Sequence, residues 1–319
     1  MNRRALTLVL FAAAVPGLAQ AADYPVKPVK WIVPYPPAGT TDVLARIVAQ
    51  WLTEKMGQPF IVENKPGAGN NLGVEAVVNA PPDGYTMLLV NPANGINATL
   101  YKNLNFNFIR DIAPVAGLVR TPNVMEVTTS LPVKTVAEFI AYCKANPGKI
   151  NMASSGSGTS VHLSGELFKA MTGCEMVHVP YKGAGPALTD LIGGQVQVMF
   201  DNLPSSAGHI KSGRLRALAV TSEQREPSLP DAPTIGETVP GYEATAWFGI
   251  GMPKGTPREI IQKVNAEVNR ALADPKLRER LAELGGKPIA GTPEDFGKTI
   301  AAETAKWEKV VISSGAKVE

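Results

Sequence analysis

The sequence has 319 residues, of which 45% are hydrophobic and 18% charged, and it contains 30 glycines and 27 prolines. This composition excludes a disordered chain and a coiled coil, and the length suits about two domains of ~100–200 residues each. The formal charge is only +3, and two of the 31 basic residues, Arg3 and Arg4, lie in a segment that we expect to be removed. So balanced a charge excludes a surface that tracks nucleic acid phosphates.

The first 21 residues have the pattern of a secretory signal peptide. Arg3 and Arg4 give a positive start, residues 5–15 are apolar, and AQA at residues 19–21 is a small-x-small cleavage site. The alternative, a buried N-terminal helix, is disfavoured because the apolar stretch is too short to cross a bilayer and ends at Pro16 and Gly17. We expect cleavage after Ala21 and a soluble exported protein.

A repeating unit of strand, loop and helix predicts an α/β fold for the first part of the mature chain. The β-branched runs at residues 29–33, 60–62 and 86–90 each lead into a loop rich in Gly, Pro or Asn and then into a helical pattern. The first of these helices is expected to end at Gly57. Because strands alternate with helices, we expect a mostly parallel sheet with helices on both faces.

A strand-like stretch at residues 115–127 leads into a second set of such units. Pro186 is predicted at the first position of one of its helices, and a connector with four prolines at residues 227–240 is predicted to return to the first half. We therefore expect two α/β domains joined by a hinge, formed by residues 22–122 with 223–319 and by residues 123–222. Further strands are predicted at 150–153, 177–179, 196–200, 215–221 and 246–250, and C-terminal helices at 257–273, 275–284 and from 293.

The loops after the strands contain no common enzyme signature. A dinucleotide fingerprint at residues 156–161 lacks its third glycine, and neither a P-loop nor a nucleophile elbow is present. The three histidines are too scattered along the chain to indicate a metal site, and no cysteine pair has ligand spacing. We expect no metal, cofactor or catalytic residue, although a Ser-His pair assembled by the fold stays open.

What the loops do offer is helix N-termini. Residues 40–41, 157–160 and 183–185 precede three predicted helices, and unpaired backbone N–H groups there attract an anion by roughly 0.3–1 kcal/mol per end, up to ~2 when partly buried. The alternative is ordinary helix capping by Ser and Thr. Arg46 stands four residues after Asp42, so an ion pair within the helix is expected rather than a ligand clamp.

Cys143 and Cys174 are two cysteines in a chain with an export signal. An oxidising compartment permits a disulfide between them, and the alternative is a pair of small buried residues. Neither stands near the cleavage site, so the mature chain has no cysteine for a lipid anchor.

A series of collinear motifs resembles the Bug (TctC) family, the periplasmic substrate-binding receptors of tripartite tricarboxylate transporters. The resemblance covers essentially the whole mature chain. The motifs are PYPPAGTTD at 34–42, ENKPGAG at 63–69, PDGYT at 82–86, PGK at 147–149, VPYKG at 179–183, DLIGGQV at 190–196, LRALAV at 215–220 and PDAPT at 230–234.

The resemblance implies a type II periplasmic-binding-protein clamshell with a small organic acid or amino acid between its two jaws. It also implies membrane permease subunits as partners, with a sensor kinase as an alternative one. Many family members have Gly where this chain has Ala38, which tolerates a positive φ less well. The residues that the resemblance assigns to the ligand are Ala38, Gly39, Thr40 and Thr41 in the first jaw, and Ser154, Ser157, Gly158, Thr159, Tyr181, Gly183 and Asp201 in the second.

Two further alternatives stay open. Asp201 is expected to select ligands that bring an amine, a hydroxyl or a water to it, and the other interpretation is a cap for the helix that begins near Pro204. The competing function is a secreted enzyme acting on a small organic acid, with His162 or His178 as the base.

Overall fold

The structure is a computed structural model that describes residues 23–316. The predicted signal peptide and its cleavage site lie outside the described residues, as do residues 317–319. The strands are β1 Val29–Val33, β2 Phe60–Asn64, β3 Thr86–Val90, β4 Ile112–Thr128, β5 Ile150–Ser154, β6 Met176–Pro180, β7 Val198–Asn202, β8 Leu215–Val220, β9 Thr245–Pro253 and β10 Lys287–Pro288. The helices are α1 Thr40–Met56, α2 Asn71–Val78, α3 Pro92–Leu100, α4 Phe108–Asp111, α5 Val136–Ala145, α6 Ser160–Thr172, α7 Ala184–Ile192, α8 Leu203–Lys211, α9 Arg258–Ala273, α10 Pro275–Glu283 and α11 Pro293–Ser314.

The strands form a ten-stranded sheet in the order β2-β1-β3-β9-β4-β7-β5-β6, with β8 and β10 also paired to β4. The outer strands pair in parallel, β1 with β2 and β3, and β5 with β6 and β7. The pairings of β4 and β9 are all antiparallel. The expectation of a mostly parallel sheet is therefore wrong at its centre. At the centre, the chain passes between the two halves on extended strands. Parallel pairing needs a helical crossover between strands, and such crossovers occur only in the outer parts of the sheet.

Strand β4 is the element that links the two halves. Its first part, up to Pro122, pairs with β9, and its second part, from Asn123, pairs with β7 and β8. We call the strands on the β9 side, with their helices, the first half, and those on the β7 side the second half. The change of partner falls at the position where the sequence predicts the first domain limit. The domain limits themselves stay predictions.

The last helix, α11, contacts the cores of both halves. Phe296 and Ile300 in its first turns pack with residues of β1, β3 and β9. Trp307 and Val311, further along the helix, pack with residues of β5, α5 and α6. The predicted assignment of this helix to the first domain alone does not describe its packing, because one apolar stripe of 22 residues is long enough to cover both halves.

Helix ends follow the sequence signals closely. Helices α1 and α6 end at Gly57 and Gly173, each with a left-handed backbone that only glycine adopts without strain. Pro186 is the third residue of α7, not the first as predicted. Both positions suit proline because the first N–H groups of a helix have no partner inside the helix.

Cys143 and Cys174 are both buried, and their thiols are free in the structure. Cys143 Sγ donates to the carbonyl of Glu175 at 3.7 Å, and the interaction between the two thiols raises the pKa of Cys143 and lowers that of Cys174 to about 7. Over residues 23–316, no helix has the length and apolar character needed to cross a membrane.

Candidate functional site

A cavity opens between the two halves, and we call it the cleft cavity. Its walls and mouth enclose about 420 Å³ of non-atom space, open solvent included, and the centres of water-sized molecules can occupy about 30 Å³ of it. It lies where the strands of both halves end, which is the usual position of a ligand in open α/β sheets. Its walls are formed by Tyr35, Pro36, Gly39, Thr40, Thr41, Asn91, Pro92, Ser155, Thr159, Ser160, Gly183, Ala184, Asn202 and Phe248.

Helix N-termini converge on this cavity from both halves. The lining includes the residue that precedes the first turn of each of five helices: Gly39 of α1, Asn91 of α3, Thr159 of α6, Gly183 of α7 and Asn202 of α8. Each helix contributes the positive end of its dipole and unpaired N–H groups, worth roughly 0.3–1 kcal/mol to an anion and up to ~2 when partly buried. The arrangement therefore favours a bound anion.

Ordinary capping accounts for only some of these helix ends. Thr159 does cap α6, because its hydroxyl accepts the N–H of His162 at 3.2 Å. Helices α1 and α7 begin at Gly39 and Gly183 and have no side-chain cap. Their first N–H groups are left for water or a ligand. The capping interpretation is thus confirmed for α6 and wrong for α1 and α7.

The residues that line the cleft cavity carry no formal charge. An ion pair on α1, between Asp42 and Arg46, supports the loop that precedes this helix. Asp42 accepts from Arg46 Nε at 2.9 Å and from the backbone N–H of Ala38 at 3.1 Å, so the predicted pair within the helix is confirmed. Burial raises the pKa of Asp42, but the hydrogen bonds from Arg46, Asn64 and Ala38 outweigh burial and bring it below its usual value. Ala38 adopts the positive φ of 70° that the family's glycine would adopt more easily.

The structure separates the predicted ligand residues into three groups. Gly39, Thr40, Thr41, Thr159 and Gly183 line the cleft cavity. Ser157 and Tyr181 line a neighbouring opening, the side cavity, which shares Tyr35 and Ser155 with the cleft cavity. Ala38, Ser154, Gly158 and Asp201 line neither cavity.

Ser154 and Gly158 belong to a buried histidine cluster beneath the second-half loop. The rings of His162 and His178 stack with centroids 3.9 Å apart, which their distant places in the sequence did not indicate. Ser154 Oγ lies 2.6 Å from His178 Nε2, and His162 Nδ1 accepts the N–H of Gly158 at 3.3 Å. Burial lowers the pKa of His162 to about 3 and that of His178 to about 4. Both rings are neutral near pH 7 and hold the loop in place.

Asp201 lies behind the cleft wall in a buried acid pair with Glu126. Ser206 Oγ lies 2.7 Å from Glu126 Oε1 and 2.9 Å from Asp201 Oδ2. Because one hydroxyl has one proton to donate, a proton on one of the carboxyls completes the second hydrogen bond. Burial raises the pKa of Asp201 to about 6 and that of Glu126 well above its usual value. The predicted contact of Asp201 with ligand stays a prediction.

Contacts across the cleft show that the two halves are close together. Thr40 of the first half donates to Ser205 Oγ of the second at 3.2 Å, and Ser205 in turn donates to Asp201. A Cβ atom on Gly183 would lie 2.9 Å from Pro36 Cδ, which is closer than such atoms approach. Gly183 is therefore required where the two jaws meet.

Several lining residues were missed by the sequence reasoning. Asn91, Pro92 and Asn202 follow strand ends in the same way as the predicted residues, so their position was a usable signal. Phe248 lies inside β9, and only the packing of that strand brings it to the cavity.

A two-part α/β structure with a cavity at its strand ends and helix N-termini is an architecture suited to binding a small solute. The profile of the family described as "Tripartite tricarboxylate transporter family receptor" (TctC) matches residues 44–315. The chain belongs to this family, and the fold and receptor class expected from the sequence motifs are confirmed. Solved members of the family include periplasmic binding proteins.

Three solved structures are similar to the chain. Rpa4515 of R. palustris with adipate is 40% identical with a TM-score of 0.91, and the match covers 93% of this chain and 100% of that one. MatC of Rhodopseudomonas palustris with bound malate is 33% identical with a TM-score of 0.86, covering 90% and 100%. A TctC solute-binding protein from Polaromonas, solved with no ligand, is 31% identical with a TM-score of 0.65, covering 90% and 99%.

Proposed function

We propose that the chain captures a small dicarboxylate in the cleft cavity and delivers it to the membrane permease of a tripartite tricarboxylate-type transporter. The observation that carries the proposal is the convergence of five helix N-termini on a cavity whose lining residues have no charge. Such a site neutralises an anion with backbone dipoles and hydroxyls instead of cationic side chains. Adipate and malate in the two similar structures agree with this chemistry.

The two halves are proposed to close on the ligand by a hinge. The chain resembles the malate-bound relative more than the ligand-free one, although the two identities, 33% and 31%, are nearly equal. A different angle between the halves would lower the TM-score in this way. Small-angle scattering on ligand-stripped protein should show a smaller radius of gyration after addition of the bound acid. An unchanged radius at saturation would contradict the hinge.

Delivery to a permease requires that the protein reaches the periplasm. The proposed route is export through the N-terminal signal with cleavage after Ala21. The intact mass of protein from a periplasmic extract should match a chain that begins at Ala22. A mass that retains Arg3 and Arg4 would contradict this route.

Calorimetry with succinate, malate, glutarate, adipate and the monocarboxylate butyrate tests the proposed ligand class. We expect at least one dicarboxylate to bind more tightly than butyrate. Thr41→Val should weaken that binding by roughly 0.5–3 kcal/mol, because it removes a hydroxyl from the cavity wall. Thr299→Val, on the exposed side of α11, is the control and should bind as the wild type does. Failure of every dicarboxylate to bind would refute the proposal.

The competing enzyme function has a direct check in the same experiment. Of the two candidate bases, His162 is buried and His178 is half-buried, and neither lines a cavity. A ligand incubated with the protein should therefore be recovered unchanged by mass spectrometry. Conversion of the ligand to a product would favour the enzyme.

A further inference from the structure

Asn91 lies at the end of β3, where it begins α3 and lines the cleft cavity. Its side chain has a fixed orientation. Asn91 Oδ1 accepts the N–H of Ala93 at 3.1 Å and the hydroxyl of Tyr35 at 3.4 Å. Because Oδ1 accepts the backbone N–H of Ala93, rotation of the amide by 180° would place NH₂ against that N–H. The NH₂ group of Asn91 is therefore the part of the side chain that remains to be satisfied.

That group, Nδ2, has no hydrogen-bond partner in the structure although it is buried. The whole Asn91 residue is 3% exposed. A buried amide donor without an acceptor is destabilising, so such groups are normally paired. Since water hardly reaches this atom in the closed cleft, its partner has to be enclosed when the two halves close.

Asn202, the other amide in the cavity wall, differs from Asn91. Its Nδ2 donates to Asn123 Oδ1 at 2.6 Å and to Ser160 Oγ at 3.3 Å, so both of its protons are used. Among the described residues with a buried side-chain polar atom that lacks a partner, Asn91 is the one that lines the cleft cavity.

Capping of α3 does not explain the choice of asparagine. Asp and Ser cap helices as well as Asn does, and neither carries an NH₂ group. The property that distinguishes Asn is its NH₂ group, which donates two hydrogen bonds.

We propose that Asn91 Nδ2 donates a hydrogen bond to a carboxylate oxygen of the bound ligand. This inference rests on the proposed function and assigns a specific contact to it. The donor selects for an oxygen acceptor at this wall and against an ammonium group, which would bring N–H groups against N–H groups. The inference adds the loop between β3 and α3 to the loops already expected to hold the ligand.

Two substitutions of Asn91 test the contact. Asn91→Asp keeps the oxygen that caps α3 but replaces the donor by an oxygen that repels a carboxylate. Asn91→Ser keeps a capping oxygen and removes the NH₂ group without adding charge, leaving one hydroxyl hydrogen on a shorter side chain. The matched control is Asn94→Asp. Asn94 lies three residues after Asn91, and its side chain accepts the backbone N–H of Asn91 in the same capping arrangement. Asn94 is equally buried but does not line the cavity, and its own Nδ2 faces Asn70 Oδ1 at 3.4 Å.

The measurement is the Kd of the tightest-binding acid among succinate, malate, glutarate and adipate, with a thermal melt of each variant. We expect Asn91→Asp to weaken binding roughly 10- to 100-fold and Asn91→Ser roughly 10-fold, as for loss of a hydrogen bond to a charged group. Asn94→Asp should change Kd less than twofold.

Equal Kd values for the wild type and both folded Asn91 variants would overturn this inference and leave the proposed function standing. So would an equal loss of affinity in Asn94→Asp, which would trace the effect to the helix end and not to the contact. Absence of binding of all four acids to the wild type would overturn the proposed function together with this inference.

Discussion

As the pH rises from 4 to 8, the free energy of unfolding of the Asp201→Asn variant should increase relative to that of the wild type. In the wild type, Asp201 and Glu126 share a buried environment, and burial raises both pKa values. The folded protein therefore keeps a proton that the unfolded chain releases above the ordinary carboxyl pKa of 3.8. This stabilisation is complete below about pH 4 and is lost as the pH rises through about 6. Asparagine has no such proton to lose.

The size of the effect follows from the pKa of Asp201, which rises from 3.8 to about 6. At ~1.36 kcal/mol per pK unit, the wild type loses at most roughly 3 kcal/mol of unfolding free energy across this range. Between pH 4 and pH 8, the unfolding free energy of the variant minus that of the wild type should therefore increase by up to this amount. Titration of groups that do not interact with Asp201, such as His162 and His178, is common to both proteins and cancels in the difference.

Urea unfolding at half-unit intervals from pH 4 to 8 measures this difference. Asp295→Asn is the control: hydrogen bonds from Thr292 and Lys298 lower the pKa of that exposed carboxyl, so it titrates below the range measured and its difference from wild type should stay nearly constant from pH 4 to 8. A difference between Asp201→Asn and wild type that stays constant from pH 4 to 8 would refute the reasoning. The same variant tests the sequence prediction for Asp201, since a ligand contact would change the order of ligand affinities and a residue behind the wall would not.

Three further predictions concern the backbone and the thiols. Ala38→Gly should raise the urea midpoint, because glycine relieves up to about 1 kcal/mol of strain at φ 70°; a lower midpoint would contradict this. Gly183→Ala should weaken ligand binding about tenfold or more, because its Cβ would meet Pro36 in the closed cleft. Gly148→Ala also has a positive φ but no atom within 4 Å, and should leave the Kd unchanged; an equal effect of both would contradict the closure argument. Mild oxidation should join Cys143 to Cys174 in a disulfide, which lowers the mass by two hydrogens and raises the free energy of unfolding by roughly 3–4 kcal/mol. If both thiols of the oxidised sample still react with a thiol reagent after unfolding, this prediction is wrong.

Local patterns predicted many elements closely. The strand limits at 29–33 and 86–90 match β1 and β3, and Gly57 ends its helix as predicted. The Asp42–Arg46 pair could also be predicted, because residues four apart meet on one face of a helix whatever surrounds it. These features depend on neighbours in the chain, so the sequence contains what is needed to infer them.

The membership of the candidate site could be predicted only in part. Thr40, Thr41, Thr159 and the two glycines at the starts of α1 and α7 were found because they stand between a strand and a helix. Asp201 stands in an equivalent place, yet its side chain points to Glu126 and Ser206. A residue after a strand can point to the cleft or behind it, and the packing of the neighbouring strand decides which.

Local sequence patterns are enough to infer the alternation of strands and helices, the ends of many helices, the loops that carry small polar residues, and the receptor family. Packing between distant segments sets the antiparallel centre at β4 and β9, the stacking of His162 on His178, and the convergence of five helix N-termini on the cleft cavity. These features join residues far apart in the chain. They depend on how strands pair and how the halves pack, and a periodic pattern within one segment has no information about either.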